Sequence, residues 1–386
     1  MATLFLITAA ILGFVTAITM VGPLLLDLSR ELGVALGQAG LLAAAMSLPW
    51  ALGAPFTGLL SDRLGRKPLI VLALAGIGVS TIGAAFATNF ATLLVARFAA
   101  GLFGAFGPAS VMAAVGDLYP PQRRGMAMGW LNAGFGLAAV AGVPAVGIVD
   151  GLFGWRWAFA ATGAVLLVLA GLVQAAFPSL KPGHAGSSLR QTYAAVLGTP
   201  LLGNVLTANL LERSIFNAAV LYLPPFLMLS YGLTAADVAP ALALVAIGTI
   251  VGNTIGGWLG DRFRGPRAAI FVGAQLVAGG IGLVLFGVTP GLVVSVVLGA
   301  SFGLVNASSR PAFLALGSEL SPRYRGALLG LLSLTNQGGS VLGSSLGGLA
   351  IALGSYGTLA VLALCGGVGA AMLAVPLARL KLAREA

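Results

Sequence analysis

Residues 58–69 read GLLSDRLGRKPL and join two apolar runs, each of which is long enough to cross a bilayer. A helix of about twenty apolar residues spans the hydrocarbon core of roughly 30 Å, so the runs at 37–61 and 68–88 predict one crossing and its return. The stretch between them carries three closely spaced basic residues. Because short loops rich in Lys and Arg stay on the cytoplasmic side, we expect a tight turn that faces the cytoplasm.

The pattern of this turn occurs a second time in the chain. Residues 256–270 read GGWLGDRFRGPRAAI, with an Asp-Arg pair in the same place as the first one. A second alignment agrees with the first: GDLYPPQRRGMAMG at 116–129 matches GSELSPRYRGALLG at 317–330, at an offset of 201 residues. The chain is therefore predicted to be an internal duplication.

The composition is that of an integral membrane protein. Hydrophobic residues make up 59% of the chain and charged residues 8%, against about 25% charged residues in a soluble domain. The net charge of +10 comes from basic residues spread singly and in pairs between apolar runs, not from one basic face. We therefore expect the lipid bilayer as partner and no nucleic acid.

Apolar runs between turn signals predict twelve spans, six on each side of a polar linker. They lie near 4–27, 37–61, 68–88, 91–116, 125–149, 157–177, 200–229, 236–260, 268–287, 291–316, 326–353 and 356–378. We expect an all-α membrane protein with two pseudo-symmetric six-helix bundles, 1–177 and 200–386, joined by the linker 178–199. An even number of crossings places the linker and both termini in the cytoplasm. The first apolar run is interpreted as a span and not as a cleavable signal peptide.

The turn at 58–69 resembles the signature loop between helices two and three of the major facilitator superfamily. The matching residues are Gly58, Asp62, Arg63, Gly65, Arg66 and Lys67. Two parallel six-helix halves are also how that fold is built, so the resemblance covers the whole chain. The alternative is a loop whose basic residues only set the topology.

This resemblance implies a conformational latch. It implies that Gly58 packs against a helix of the other half, and that Asp62, Arg66 and Asp117 form a charge cluster that holds the outward-facing state. Arg63 belongs to the same loop. The second copy of the latch keeps Asp261, Arg262 and Glu319 but reads RFRGPR, so we expect a weaker latch there.

Two further motifs bear on coupling and direction. Residues 96–107, ARFAAGLFGAFG, resemble the helix-four motif that the superfamily links to proton coupling, through Arg97; the alternative is an arginine that snorkels to the interface. Helix five contains GFGLAAVAGVPAVG, in which Pro144 permits a bend. Its residues Gly142, Pro144 and Gly147 resemble the antiporter motif of the twelve-helix drug:proton antiporters, in a Gly-Val-Pro form. The prediction of efflux rests on this motif.

Titratable groups within the spans are the candidates for the proton site. They are Asp27 near the external end of helix one and Glu212, beside Arg213, near the middle of helix seven. We expect coupling to run through Asp27 and Arg97, because both lie near the external ends of helices that the superfamily packs side by side. Glu212 is the rival site, and Asp27 has a second interpretation as the end of its helix beside Arg30.

The substrate cavity is inferred from polar, charged and aromatic residues on the expected inward faces. These residues are Met20, Trp50, Asn132, Asn209, Arg213, Asn217, Tyr222, Asn306, Arg310, Asn336 and Gln337. Some of the amides are expected to hold helices together instead, since buried amides in lipid must find partners. An apolar pocket with a few amides suits a small, moderately hydrophobic molecule.

The function that we expect is secondary active transport: export of drug-like compounds, sugars or nucleosides in exchange for protons, by rocking two halves around a midplane site. We expect a monomer in the inner (plasma) membrane with the proton gradient as energy source and no cofactor. The alternative is an importer or facilitator of a small organic anion, and a remote one is a receptor or scaffold. With one histidine, His184, and one cysteine, Cys365, the chain offers neither a metal site nor an enzyme centre.

Overall fold

The computed structural model describes residues 2–178, 196–263, 267–320 and 325–385, and helices make up nearly all of them. The helices before the linker are α1 Ala2–Thr19, α2 Val21–Glu31, α3 Leu36–Ala39, α4 Leu41–Leu64, α5 Arg66–Ala85, α6 Phe90–Gly104, α7 Gly107–Leu118, α8 Pro121–Leu137, α9 Val143–Phe153 and α10 Trp155–Ala176. Those after it are α11 Leu202–Tyr231, α12 Ala235–Arg262, α13 Arg267–Val288, α14 Leu292–Leu320, α15 Arg325–Leu353 and α16 Tyr356–Glu385.

Within the described residues, eleven helical segments are long and apolar enough to cross a membrane. The 29-residue helix α15 lies where the remaining predicted span is. These segments agree with the twelve predicted runs in order and position, and the predicted all-α transmembrane fold is confirmed. Of the predicted linker 178–199, residues 179–195 lie outside the described part of the chain.

The helices form two compact units. The first is Met1–Gly186 with Leu233–Ala243, and the second is Ser187–Gly232 with Leu244–Ala386. The grouping of Leu233–Ala243 differs from the two predicted bundles, because the first turns of α12 pack in the first unit. Gly147 and Gly151 of α9 favour this close approach: a Cβ on Gly147 would lie 3.1 Å from the Ala235 carbonyl oxygen, which is closer than most side-chain contacts.

The first predicted span is two helices rather than one. It breaks at Met20, between α1 and α2. Pro23 follows in the first turn of α2, and its nitrogen carries no hydrogen to donate to the preceding turn. The Thr19 carbonyl group, four residues before Pro23, therefore receives no helical hydrogen bond from it.

The fifth predicted span, formed by α8 and α9, changes its winding before the predicted proline bend. Residues Ala138–Gly142 form one π-helical turn between α8 and α9, and Pro144 follows at the start of α9. Gly142 lies against α1, where a Cβ would lie 2.2 Å from the Thr16 hydroxyl oxygen. The glycine and the proline of the predicted antiporter motif thus position the fifth span against the first span.

Glycines at intervals of four residues pack helices together in the second unit. On α12, a Cβ at Gly248, Gly252 or Gly256 would lie 2.4, 2.1 or 2.0 Å from a carbonyl oxygen of α14. Gly339 and Gly343 of α15 approach α11 in the same way. Such contacts replace the hydrophobic driving force that lipid cannot supply. They determine which face of α14 meets α12 and which face of α11 meets α15 inside the unit.

Candidate transport and coupling sites

The turn after α4 brings together two of the predicted latch residues. Gly65 adopts φ +90°, a conformation that suits glycine, and α5 begins at the next residue. There the Arg66 Nε lies 2.8 Å from the Asp117 Oδ2, while its Nη1 donates to the Ser61 hydroxyl at 2.7 Å. The predicted contact between Arg66 and Asp117 is present, inside the first unit.

The remaining predicted latch residues either are exposed or have side chains outside the described part of the structure. The placement of Gly58 and of the Asp62 and Glu319 side chains lies outside the described residues, and Arg63, Asp261 and Arg262 are exposed. In the second copy of the turn, Arg267 is buried and its Nε donates to the Gly260 carbonyl oxygen at 2.8 Å. Sequence reasoning did not single out Arg267, although it matches Arg66 at the offset of 201 residues and, like Arg66, begins the helix after the turn.

Arg97 is one of the most deeply buried side chains, with 1% of its surface exposed, so it does not snorkel to the interface. Its Nη1 donates to the Ala17 carbonyl oxygen at 3.0 Å and its Nη2 reaches that of Ile18 at 3.5 Å. Its Nε reaches the Leu42 carbonyl oxygen at 3.4 Å. The arginine thus caps the end of α1, where the break at Met20 leaves carbonyl groups without a donor.

The predicted pairing of Asp27 with Arg97 is not what the structure shows. The partners of Arg97 among the described residues are backbone carbonyls and the ring of Phe159. Asp27 lies instead 4.0 Å from Arg30 and within hydrogen-bond reach of Asp150. Asp27 lies near the end of α2, as predicted, but Arg97 lies in the middle of α6. The rotation of α2 points Asp27 towards α9.

Asp150 is the titratable residue that sequence reasoning missed. The predicted fifth span, 125–149, ends one residue before it. In the structure it is buried in α9, and both carboxylate oxygens lack a hydrogen-bond donor among the described residues. The rule that a carboxylate inside a span marks a functional site would have found it only with a longer fifth span, since α9 continues to Phe153.

A second set of polar contacts lies near Asp27 and Asp150, where α2 ends and α10 begins. Glu31, the last residue of α2, accepts a hydrogen bond from the Trp155 Nε1 at 2.7 Å and forms an ion pair with Arg156. The Arg156 guanidinium also lies over the Trp155 ring, 4.2 Å from its centroid. The start of α10 is therefore held to the end of α2 beside the two aspartates.

The second unit contains a buried charge cluster. Glu212 and Arg213, neighbours on α11, form an ion pair, and the Arg310 Nη1 of α14 lies 3.7 Å from the Glu212 Oε2. The Arg213 Nη2 also donates to the Asn306 side-chain oxygen at 3.0 Å. One carboxylate thus serves two guanidinium groups, which leaves the cluster with one excess positive charge.

Some hydrogen-bond donors of the cluster are not fully satisfied. The Nδ2 of Asn306 is buried without a partner in the described residues, although its oxygen is occupied by Arg213. The Arg310 side chain is only partly covered, and its Nη2 reaches the Asn336 oxygen at 3.4 Å. Two donors and an excess positive charge together suit a ligand with anionic or hydrogen-bond-accepting groups.

Other predicted cavity residues bind partners in the second unit: Tyr222 and Asn209 join α11 to α15, and Asn217 binds its own helix. The Tyr222 hydroxyl, fully buried, donates to the Ser344 carbonyl oxygen at 2.7 Å. The Asn209 amide donates to the Thr335 hydroxyl oxygen at 2.7 Å, and the Asn217 amide donates to the Arg213 carbonyl oxygen at 2.7 Å. These three side chains satisfy partners in their own unit, as expected for some of the amides.

The rest of the predicted cavity residues are dispersed. Met20 is fully buried at the break of the first span, and Trp50 is buried against Gly104. Gln337 is buried, Asn336 is half-buried and Asn132 is exposed. Of the predicted substrate residues, Arg213, Asn306, Arg310 and Asn336 are the ones that the structure gathers into one polar site.

Comparisons with known proteins agree with this architecture. The family model described as Major Facilitator Superfamily matches residues 5–344. The chain is 30% identical over 280 residues to "Chloramphenicol resistance protein" of Streptomyces lividans, covering 72% of this chain and 71% of the relative. It is 31% identical over 261 residues to "Probable nitrate/nitrite transporter NarK2" of Mycobacterium tuberculosis, covering 65% and 64%.

A solved structure shares the fold at low sequence identity. The crystal structure of a D-xylose-proton symporter superposes with a TM-score of 0.78 at 14% identity, and the match covers 97% of this chain and 96% of the symporter chain.

Proposed function

This chain belongs to the Major Facilitator Superfamily, and from that premise we propose that it exports small, moderately hydrophobic molecules in exchange for protons. Membership of this family indicates a multi-pass membrane transporter rather than an enzyme. We place it as a monomer in the inner (plasma) membrane with both termini in the cytoplasm. The substrates would be drug-like compounds, sugars or nucleosides, moved by alternating access between the two halves.

The observation that carries proton exchange is the buried carboxylate of Asp150. Burying an ionisable side chain inside a span costs free energy, so such a residue is a candidate for a functional role. Asp150 lacks a hydrogen-bond donor among the described residues, whereas Glu212 is neutralised by Arg213 and contacted by Arg310. A passive facilitator has no use for a buried acid without a donor, but a proton antiporter needs one.

Two observations favour export. The resemblance of Gly142, Pro144 and Gly147 to the antiporter motif is supported by the π-turn at Ala138–Gly142 and the close contact of Gly142 with Thr16. In addition, one relative is named a chloramphenicol resistance protein, a name that suits the removal of a drug.

A second candidate is an importer or facilitator of a small anion. It is favoured by the excess positive charge of the cluster around Glu212, Arg213 and Arg310. One relative is also named a probable nitrate/nitrite transporter. In this candidate the substrate itself would supply the missing negative charge, and no proton would need to move against it.

Transport by purified protein in proteoliposomes separates the two. A thermal-shift screen of drugs, sugars, nucleosides, amino acids and nitrate first identifies ligands, with chloramphenicol and nitrate as the starting probes. For an antiporter, vesicles with an acidic interior should accumulate labelled chloramphenicol or another screened ligand above its external concentration, and nigericin should abolish the accumulation. Uptake of nitrate with no dependence on the pH difference would contradict proton exchange and support the second candidate.

A further inference from the structure

Two aspartates from different helices lie side by side at one end of the first unit. Asp27 belongs to α2 and Asp150 to α9, two helices that pack against each other. The two carboxylates are within hydrogen-bond reach. Asp150 is 5% exposed, and neither of its carboxylate oxygens has a donor in the described part of the chain.

Charged groups on α2 do not neutralise Asp150. Arg30 is 4.0 Å from Asp27, but its side chain is 67% exposed, so water screens its charge strongly. Glu31, on the same helix, adds a negative charge to this end of the unit. The cations nearby therefore leave the buried member of the pair without compensation.

The elements packed against the pair from the other sides are also engaged elsewhere. On α10, Arg156 pairs with Glu31, and Trp155 donates to the same carboxylate. At the start of α12, the Asp237 carboxylate accepts hydrogen bonds from the backbone N–H and the hydroxyl of Thr234. Neither element offers Asp150 a donor.

An ionised carboxylate is costly to bury without donors or cations. Two ionised carboxylates side by side also repel, so such a pair is stable when one carboxyl holds a proton and donates it to the other. We propose that Asp27 and Asp150 form a two-carboxyl proton-binding site, and that the transported proton binds there. This rests on the proton exchange proposed above. One proton taken from water changes the charge of the pair from −2 to −1, and its release restores it.

The pair is connected to water through its more exposed member. Asp27, Asp150 and Glu31 line an open cavity with a volume of ≈ 490 Å³. The Asp27 side chain is 37% exposed, whereas Asp150 is 5% exposed. Protons from water therefore reach the pair through this cavity, mainly by way of Asp27.

The pair also adjoins a contact that links α9 to α12. Gly151 follows Asp150 directly, and a Cβ on it would lie 3.0 Å from the Ala236 Cβ. The helix α12 continues from this contact into the second unit. A change in charge at Asp150 therefore acts beside a helix that belongs to both units, which is where a coupling proton is useful.

Infrared spectroscopy can detect the shared proton without any substrate. Protein labelled with ¹³C-aspartate, in lipid nanodiscs, is titrated while the carbonyl stretch of protonated aspartic acid is followed. The wild type should show a labelled band near neutral pH that corresponds to about one proton per chain, well above the pH of about 4 where an isolated aspartate titrates. Asp150→Asn should abolish the neutral-pH band, because it removes the buried member of the pair. Asp27→Asn should move the band to lower pH, because it removes the repulsion between the two carboxylates.

Substitutions of other acidic residues serve as controls for this test. Asp237→Asn removes a carboxylate at the start of α12 and should leave the band unchanged. The double variant Glu212→Gln with Arg213→Gln, which removes one charge of each sign, tests the rival acid and should also leave the band unchanged. Asp150→Glu keeps a carboxyl and should retain the band if Asp150→Asn fails to fold. Absence of the band from the wild type, or its persistence in folded Asp150→Asn, overturns the proposal.

Transport assays distinguish this proposal from the function on which it rests. If the wild type shows the band but no pH-driven accumulation of any screened ligand, the antiport function fails while the proton site is supported. If the wild type accumulates ligand and Asp150→Asn does so equally, the antiport function holds and the proton site is contradicted. The proposal expects Asp150→Asn to exchange labelled ligand between pools but to lose accumulation against a gradient.

Discussion

The Arg97 guanidinium donates a hydrogen bond to the Ala17 carbonyl oxygen over 3.0 Å, and so joins the middle of α6 to the broken first span. A buried cation at the end of a helix satisfies both the free carbonyl groups and the negative end of the helix dipole. Arg97 therefore has a structural role that the motif alone did not reveal.

Replacement of Arg97 should destabilise the protein before it affects coupling. Arg97→Ala removes the donor of the buried Ala17 carbonyl oxygen, at a cost of about 1–3 kcal/mol. We expect a clearly lower melting temperature in detergent, measured by fluorescence of the purified protein. The exposed Arg156→Lys is the control and should change the melting temperature much less; equal melting of Arg97→Ala and wild type would contradict the capping role.

Substitution of Asp117, which pairs with Arg66, tests the predicted latch. The pair is partly exposed, so Asp117→Asn should cost no more than about 1 kcal/mol of stability. If the pair holds one conformation of the transport cycle, the same change should strongly reduce transport. Asp62→Asn is expected to act in the same way, since the resemblance places Asp62 in the same cluster.

Initial transport rates at equal protein abundance, together with melting temperatures, decide this prediction. A parent rate in both Asp117→Asn and Asp62→Asn would exclude a latch. A loss of rate that follows a loss of stability would show only a structural role.

The cluster in the second unit should depend strongly on its one carboxylate. Glu212→Gln leaves Arg213 and Arg310 buried with no anion between them, and breaking a buried ion pair in this way costs about 3–5 kcal/mol. The double variant Glu212→Gln with Arg213→Gln removes one charge of each sign and should be more stable than the single variant. Melting temperatures of the purified proteins test this order, and the reverse order would contradict the ion-pair assignment.

The glycine contacts between α12 and α14 offer a matched pair of substitutions. A Cβ at Gly252 would lie 2.1 Å from the Leu304 carbonyl oxygen, whereas a Cβ at Gly257 meets no atom within 4 Å. Gly252→Ala should force the helices apart at a cost of about 1–3 kcal/mol. Gly257→Ala should be neutral or slightly stabilising, because alanine favours helix over glycine by about 1 kcal/mol. Thermal unfolding that ranks the two variants the other way round would refute the packing assignment.

The predicted topology is testable without a substrate. Because the basic residues concentrate in the loops assigned to the cytoplasm, reporters fused after Arg190 and after Arg384 should both report the cytoplasm. Alkaline phosphatase and green fluorescent protein fusions give opposite signals for the two sides. A periplasmic signal from either fusion would contradict the twelve-span topology.

Much of the fold could be predicted because its causes are local. A run of apolar residues must be long enough to cross the bilayer, so the spans follow from reading along the chain. The internal duplication repeats the same local signals, and the contact of Arg66 with Asp117 follows from a motif with definite spacing. None of these inferences required knowledge of how one helix is rotated against another.

The candidate sites depended on that rotation. Asp27 was expected to meet Arg97, but it faces Asp150, which is far away in the sequence, while Arg97 binds carbonyl groups exposed by the break at Met20. Trp50 was expected in a cavity and is packed on Gly104 instead.

The sequence by itself determined the membrane environment, the number and order of the spans and the family signature, since these depend on composition and on local spacing. The tertiary structure decided which polar groups meet. Helix faces are set by close contacts at particular glycines, such as Gly142 against Thr16 and Gly343 against Ser214. A small rotation about these contacts turns a side chain to another neighbour, so partners distant in the chain are decided only when the helices pack.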